Sequence, residues 1–105
     1  MKEQLLVNWT INYLLARGHY AWRNNSGMLP ITTKGKQRMI KIGQKGLPDV
    51  LGYHKETGQL IAIECKIGRN KLSPAQWERI EHMRSCHVLA FVVYDTDEVE
   101  KLPFL

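Results

Sequence analysis

The segment QLIAIECKI, residues 59–67, constrains the fold of this chain more than any other. Its run of apolar and β-branched residues predicts a buried strand. The ETG turn signal before it predicts an antiparallel hairpin with DVLGYHK, residues 49–55. A strand of this kind has little room for charge, because burying an unpaired ion is expensive. Glu64 and Lys66 nevertheless stand inside it, and Asp49 follows Pro48 at the head of the hairpin. Side chains alternate along a strand, so Ile61, Ile63, Cys65 and Ile67 point one way and Leu60, Ala62, Glu64 and Lys66 the other. The charges therefore gather at one end of one face, a placement that suits a cleft at the sheet edge. The hairpin brings Asp49 level with them, and its facing depends on the turn. A two-residue Thr57-Gly58 loop places Asp49 on the Glu64 face. A three-residue Glu56-Thr57-Gly58 loop places it on the other, unless the chain bends at Pro48-Asp49.

The flanking sequence supplies the rest of a layered fold. Leu6, Val7, Ile11, Leu14 and Leu15 recur with helical spacing over residues 2–17, and Gly18 is a stop signal. HYAWRN reads as a short strand and NSG as a turn. ITTKGKQRMIKI reads as a hairpin turning at Lys34-Gly35. After the loop GRNKL, Ser73 fits an N-cap, Pro74 the first helical position and Gln76 the third residue of a capping box, with Leu72 and Trp77 placed as a hydrophobic staple. That helix runs to about Ser85. HVLAFVVYD then reads as a central strand covered on both faces, and a short acidic tail follows. The order α-β-β-β-β-β-α-β predicts an α/β or α+β layered sheet flanked by two helices. At 105 residues it is read as one domain, 1–105.

Composition narrows the function classes. Residues 1–94 hold 14 Lys+Arg against 6 Asp+Glu, an excess of 8, which suits a polyanionic partner with nucleic acid first. Lys34, Lys36, Arg38, Lys41 and Lys45 follow one another with no acid between them and are candidate DNA-backbone contacts. Arg69 and Lys71 are candidates beside the charged strand. Trp9, Trp22 and Trp77 are expected in the core or an interface, and Asn24 and Asn25 in a turn or against substrate. The two cysteines and four histidines show neither disulfide nor zinc spacing. No stretch is long and apolar enough for a membrane span and no signal-peptide layout opens the chain, so a cytosolic setting without a small-molecule cofactor is expected.

Two adjacent carboxylates repel unless a cation joins them. Lys66 supplies part of that charge. A hard divalent ion such as Mg²⁺, held by Asp49, Glu64 and the backbone carbonyl of Cys65, would supply more and would polarise a phosphodiester, with Lys66 orienting water or neutralising charge on the phosphate.

Pro48-Asp49 followed by Glu64-Cys65-Lys66 resembles the PD-(D/E)XK nuclease motif. With an early Glu in the first helix, then AWRNNSG, KGLPDVLG, IECKIGRNKLSPAQ and a closing apolar strand, nearly the whole chain resembles the virus-type replication-repair nuclease (VRR-NUC) domain. The resemblance implies a restriction-endonuclease-like core with Mg²⁺ or Mn²⁺ bound by Asp49 and Glu64 and with Lys66 completing the core. It adds Gln76 as the glutamine of the second helix, and Glu3 as the acid of the first. It further implies a homodimer cutting branched DNA such as Holliday junctions. The competing readings are a non-catalytic nucleic-acid-binding module and an interaction subunit that borrows a nuclease fold.

Overall fold

The computed structural model describes residues 1–24, 28–41 and 47–105. Among these residues, three helices and six strands follow in the order α1 (Glu3–Ala16), β1 (Tyr20–Arg23), β2 (Met28–Thr33), β3 (Lys36–Lys41), β4 (Val50–Tyr53), β5 (Leu60–Cys65), α2 (Pro74–Ser85), β6 (Leu89–Val93) and α3 (Thr96–Glu100). The main sheet has the order β1-β4-β5-β6, antiparallel except for the β5–β6 pair that α2 connects. The fold is thus a small α+β arrangement with a mixed sheet.

Each face of that sheet has its own core. On one face, Leu6, Val7 and Leu14 of α1 bury Ala21, Val50, Ile61, Ile63, Cys65 and Val93. Thr10 joins them although it is polar, because its hydroxyl donates to the Leu6 carbonyl at 2.7 Å. On the other face, Ile80 and Met83 of α2 pack on Ala62 and Ala90. β6 is covered on both faces as its composition implies, but it lies at the end of the sheet rather than in its centre. β4 and β5 are the two inner strands. The acidic tail is a correction to the sequence reading. Asp95 accepts from the Glu98 N–H at 2.8 Å and caps α3, so Val99 and Leu102 close the core beneath α1 while the carboxylates stay in water.

Gly35 and Gly52 each meet a demand that a side chain would oppose. Lys34 and Gly35 form the two-residue turn of the β2–β3 hairpin with φ of 52° and 74°, the positive pair that a type I′ turn requires. At Gly52 in β4, any Cβ would run into the Tyr20 carbonyl of β1.

The β4–β5 connection settles which way Asp49 faces. The ladder pairs Val50 with Ile63, Leu51 with Ala62 and Tyr53 with Leu60. His54 N–H then donates to the Gln59 carbonyl at 2.9 Å, leaving Lys55–Gly58 as a four-residue connection. His54 also holds the turn from within: its Nδ1 accepts the N–H groups of Glu56 (3.1 Å) and Thr57 (3.4 Å). Four residues preserve the parity of a two-residue loop. Extending the register one step places Asp49 opposite Glu64, on the same face.

Candidate active site

Asp49 sits at a bend where β4 begins, and both strands beside it hold it in place. The backbone N–H of Cys65 in β5 donates to Asp49 Oδ2 at 3.0 Å, replacing a rung of the ladder with a side-chain contact. From β1's side, Asn24 N–H donates to the Asp49 carbonyl at 2.8 Å, and Asn24 Nδ2 donates to the carbonyl of buried Pro48 at 3.2 Å. The Pro-Asp pair is therefore clamped, and one carboxylate oxygen remains for other partners. Glu64 is 2% exposed, between β4 and β6 at the end of the strands. This is deeper than a cleft at the sheet edge, because β5 is an inner strand. Lys66, on the Glu64 face by alternation, is half-buried, and its N–H donates to the Val93 carbonyl at 2.9 Å.

The electrostatics follow from that packing. Burial, above all, pushes the Glu64 carboxyl up from its ordinary 4.5 to about 9. The Asp49 carboxylate, placed to accept a hydrogen bond from protonated Glu64, adds to the shift, as do its charge and the more distant Glu3. Lys66 opposes the shift without cancelling it. Cys65 presents its thiol to the α1 face, 3.8 Å from Thr10 Oγ1, and burial pushes it up to about 12, so it is neutral and inert.

Two hard oxygen donors set side by side, one of which holds its proton until a cation offsets its burial, fit a divalent ion such as Mg²⁺ or Mn²⁺. Among the described residues no group of three His, Cys, Asp or Glu side chains gathers to hold an ion. Side-chain ligation would therefore fall to Asp49 and Glu64, with backbone and water oxygens filling the shell, a composition Mg²⁺ commonly accepts.

The fold that carries these residues is a known architecture. A solved structure described as "VRR_NUC domain" superposes with a TM-score of 0.66 and 22% identity, covering 95% of this chain and 91% of its own. The chain has the VRR_NUC fold. No family model matches the sequence, and no curated protein is significantly similar to it.

Within the VRR_NUC fold the remaining candidates fall into separate groups. Gln76 closes the expected capping box: Ser73 N–H donates to its Oε1 at 2.9 Å, and Gln76 N–H donates to Ser73 Oγ at 3.1 Å. Its amide oxygen is thus committed to the helix start, and its NH₂ group remains a donor. Glu3, in the first turn of α1, reaches the pair through its field and stands in no three-residue ligand group. Arg69 and Lys71 are exposed on the loop that leaves Lys66. Lys36 and Arg38 share one face of the β2–β3 hairpin, which forms its own two-stranded sheet. With Thr33 and Lys34 they line an open recess of about 290 Å³. Lys41 ends β3, and Lys45, like Asn25, lies outside the described residues.

Two features escaped the sequence reading. Asn24 is a positioning residue for Pro48-Asp49, and only its place after a short strand hinted at that. The tryptophans do not share one environment: Trp9 leans on the core and stacks on Tyr13, whereas Trp22 and Trp77 are exposed. The expected staple thus leaves Trp77 in solvent.

Proposed function

We propose that this chain, as one domain over residues 1–105, is a Mg²⁺- or Mn²⁺-dependent endodeoxyribonuclease. It acts as a homodimer on branched DNA such as Holliday junctions, in a cytosolic setting. The observation that carries the reading is the pairing of a clamped, half-buried Asp49 with a buried Glu64 beside Lys66 on one face of a VRR_NUC fold. The dimer follows from the substrate, since symmetric cutting of a four-way junction needs two copies of the site.

Asp49 and Glu64 would hold the cation, which when bound polarises the phosphodiester and makes water a better nucleophile. Asp49 is kept from rotating by the Cys65 N–H, so its free oxygen stays aimed at the site. Lys66, extending from the same face, donates to the phosphate and offsets the negative charge that builds on it during attack. Arg69, Lys71, the hairpin cations Lys34, Lys36, Arg38 and Lys41, and Lys45 further along the sequence hold the flanking backbone. Gln76 can turn its NH₂ toward the same phosphate. An excess of 8 positive charges over residues 1–94 supports a polyanionic substrate.

The test is cleavage of a labelled four-way junction, a flap and a plain duplex, each with Mg²⁺, Mn²⁺ or chelator, by the parent and by Asp49→Ala and Lys66→Ala. The parent should cut the junction only with metal, and each variant should lose about 100-fold or more in rate. If no substrate is cut with either metal, or both variants cut like the parent, the chain is a binding module. If duplex is cut as fast as junction, the selectivity fails alone.

A further inference from the structure

The face that carries Glu64 is only half covered. α2 lies over β5 and β6, burying Ala62 and Ala90 and reaching Leu51 of β4, while among the described residues the outer part of the β1–β4 half of the same face stays exposed. By alternation and register that half presents Tyr20, Trp22 and Tyr53, which are 52%, 40% and 48% exposed. The rings are organised. Tyr20 and Tyr53, directly paired across the strands, stack at 5.2 Å with 25° between their planes, and Trp22 lies 5.6 Å from Tyr20. Leu60, paired with Tyr53, extends the apolar floor.

The strip runs straight from the carboxylate pair. Trp22 is level with Leu51, two residues or about 6.8 Å along β4 from Asp49, and the Tyr20–Tyr53 stack is a further two residues on. We propose that Tyr20, Trp22 and Tyr53 form a stacking platform for unpaired bases adjacent to the phosphate at the Asp49–Glu64 pair. The inference rests on the nuclease reading for the identity of the ligand and deepens it by assigning a single-stranded segment to this face.

Charge and area favour nucleic acid over a second copy. Lys66 stands at the carboxylate end. At the far end the Lys55 ammonium donates to the Arg17 carbonyl at 3.0 Å, which brings two cations there. Segments 17–24 and 50–55 contain no acid, so between Asp49 at one end and Glu56 of the turn at the other a polyanion meets no like charge, whereas another chain of net charge +5 meets the cations at both ends. Three aromatic side chains, at about half exposure, offer roughly 300 Å², against about 800 Å² per partner in a stable protein interface. Flat amphipathic rings are also what stacks on bases of any sequence.

The test is fluorescence anisotropy in chelator, so that nothing is cut, with labelled oligothymidine and a base-free deoxyribose-phosphate oligomer of equal length as probes. The parent should bind oligothymidine about tenfold tighter or more, a stacking-sized preference. Tyr20→Ser with Tyr53→Ser should abolish that preference and leave binding of the base-free probe unchanged, while Tyr20→Phe with Tyr53→Phe should keep it. Equal affinity of the parent for both probes overturns the proposal. So does a Ser variant that falls from dimer to monomer in sedimentation while keeping its base preference, which would make the strip a contact between copies. If the Ser variant does not fold, Trp22 fluorescence decides. Quenching by oligothymidine alone, absent in Trp22→Phe, supports the platform, and no quenching overturns it. Because the binding is read without metal, a base preference in a protein that cuts nothing leaves the platform standing and refutes the nuclease. Cleavage without a base preference does the reverse.

Discussion

Replacing Glu64 with Gln should stabilise the metal-free protein. Glu64 ionises at 4.5 in an ordinary environment and at about 9 where it is buried against Asp49. At pH 7 the unfolded chain therefore releases a proton that the folded chain retains. At about 1.4 kcal/mol per pH unit, the 2.5 units between 4.5 and 7 cost the fold roughly 3–4 kcal/mol. Local relaxation and water entry lower that figure, so a gain of roughly 1–3 kcal/mol is expected for Glu64→Gln, whose amide still donates to Asp49. In a chain of this size it amounts to a rise in Tm of about 5–15 °C. The sign with pH is fixed by the raised folded value. The contribution of Glu64 to stability is fully present below 4.5 and drains away as pH climbs toward 9, so parent and variant converge at low pH and separate at high pH. Thermal unfolding in chelator at pH 5 and pH 8 measures the gap, and added Mg²⁺ should narrow it by stabilising the parent more. A variant that is less stable than the parent by the same amount at both pH values would refute the reasoning. Glu64 would then be ionised in the fold and favourably paired with Lys66.

Three further outcomes follow from particular contacts. Asn24→Ala removes the donor to the Pro48 carbonyl and should cost about 1 kcal/mol in urea unfolding, with a fall in cleavage rate of about tenfold or more as Asp49 loosens. Gly52→Ala drives a methyl into the Tyr20 carbonyl, and separating β1 from β4 should cost about 3 kcal/mol or more of stability by the same assay. Lys36→Gln with Arg38→Gln should lower DNA affinity and reduce the slope of log affinity against log salt by about 1.8, without altering the metal dependence of cutting.

Much of this was legible where the signal is local. The capping box at Ser73 and Gln76 and the Lys34-Gly35 turn are short-range patterns, and both formed as written. The face of Glu64 followed from alternation alone. What local reasoning missed depends on partners distant in sequence. His54 lengthens the β4–β5 connection by accepting the turn's own N–H groups, which decided the facing of Asp49 that loop counting left open. Asn24 acts across 24 residues on Pro48, and no periodicity marks a residue for that. α3 was read as a tail because its five residues are mostly charged. The cap at Asp95 and the burial of Val99 outweigh that composition. Trp22 is apolar enough to be assigned to a core, and its exposure is decided by α2 covering only half of a face.

The central claim is that Asp49 and Glu64 are apposed in order to share a divalent cation. Titrating the protein with Mn²⁺ and following the free ion by electron paramagnetic resonance tests it directly, without DNA. The parent should bind Mn²⁺ saturably, Mg²⁺ should compete, and Asp49→Asn and Glu64→Gln should each abolish binding while remaining folded. Undiminished Mn²⁺ binding in both variants would contradict the claim.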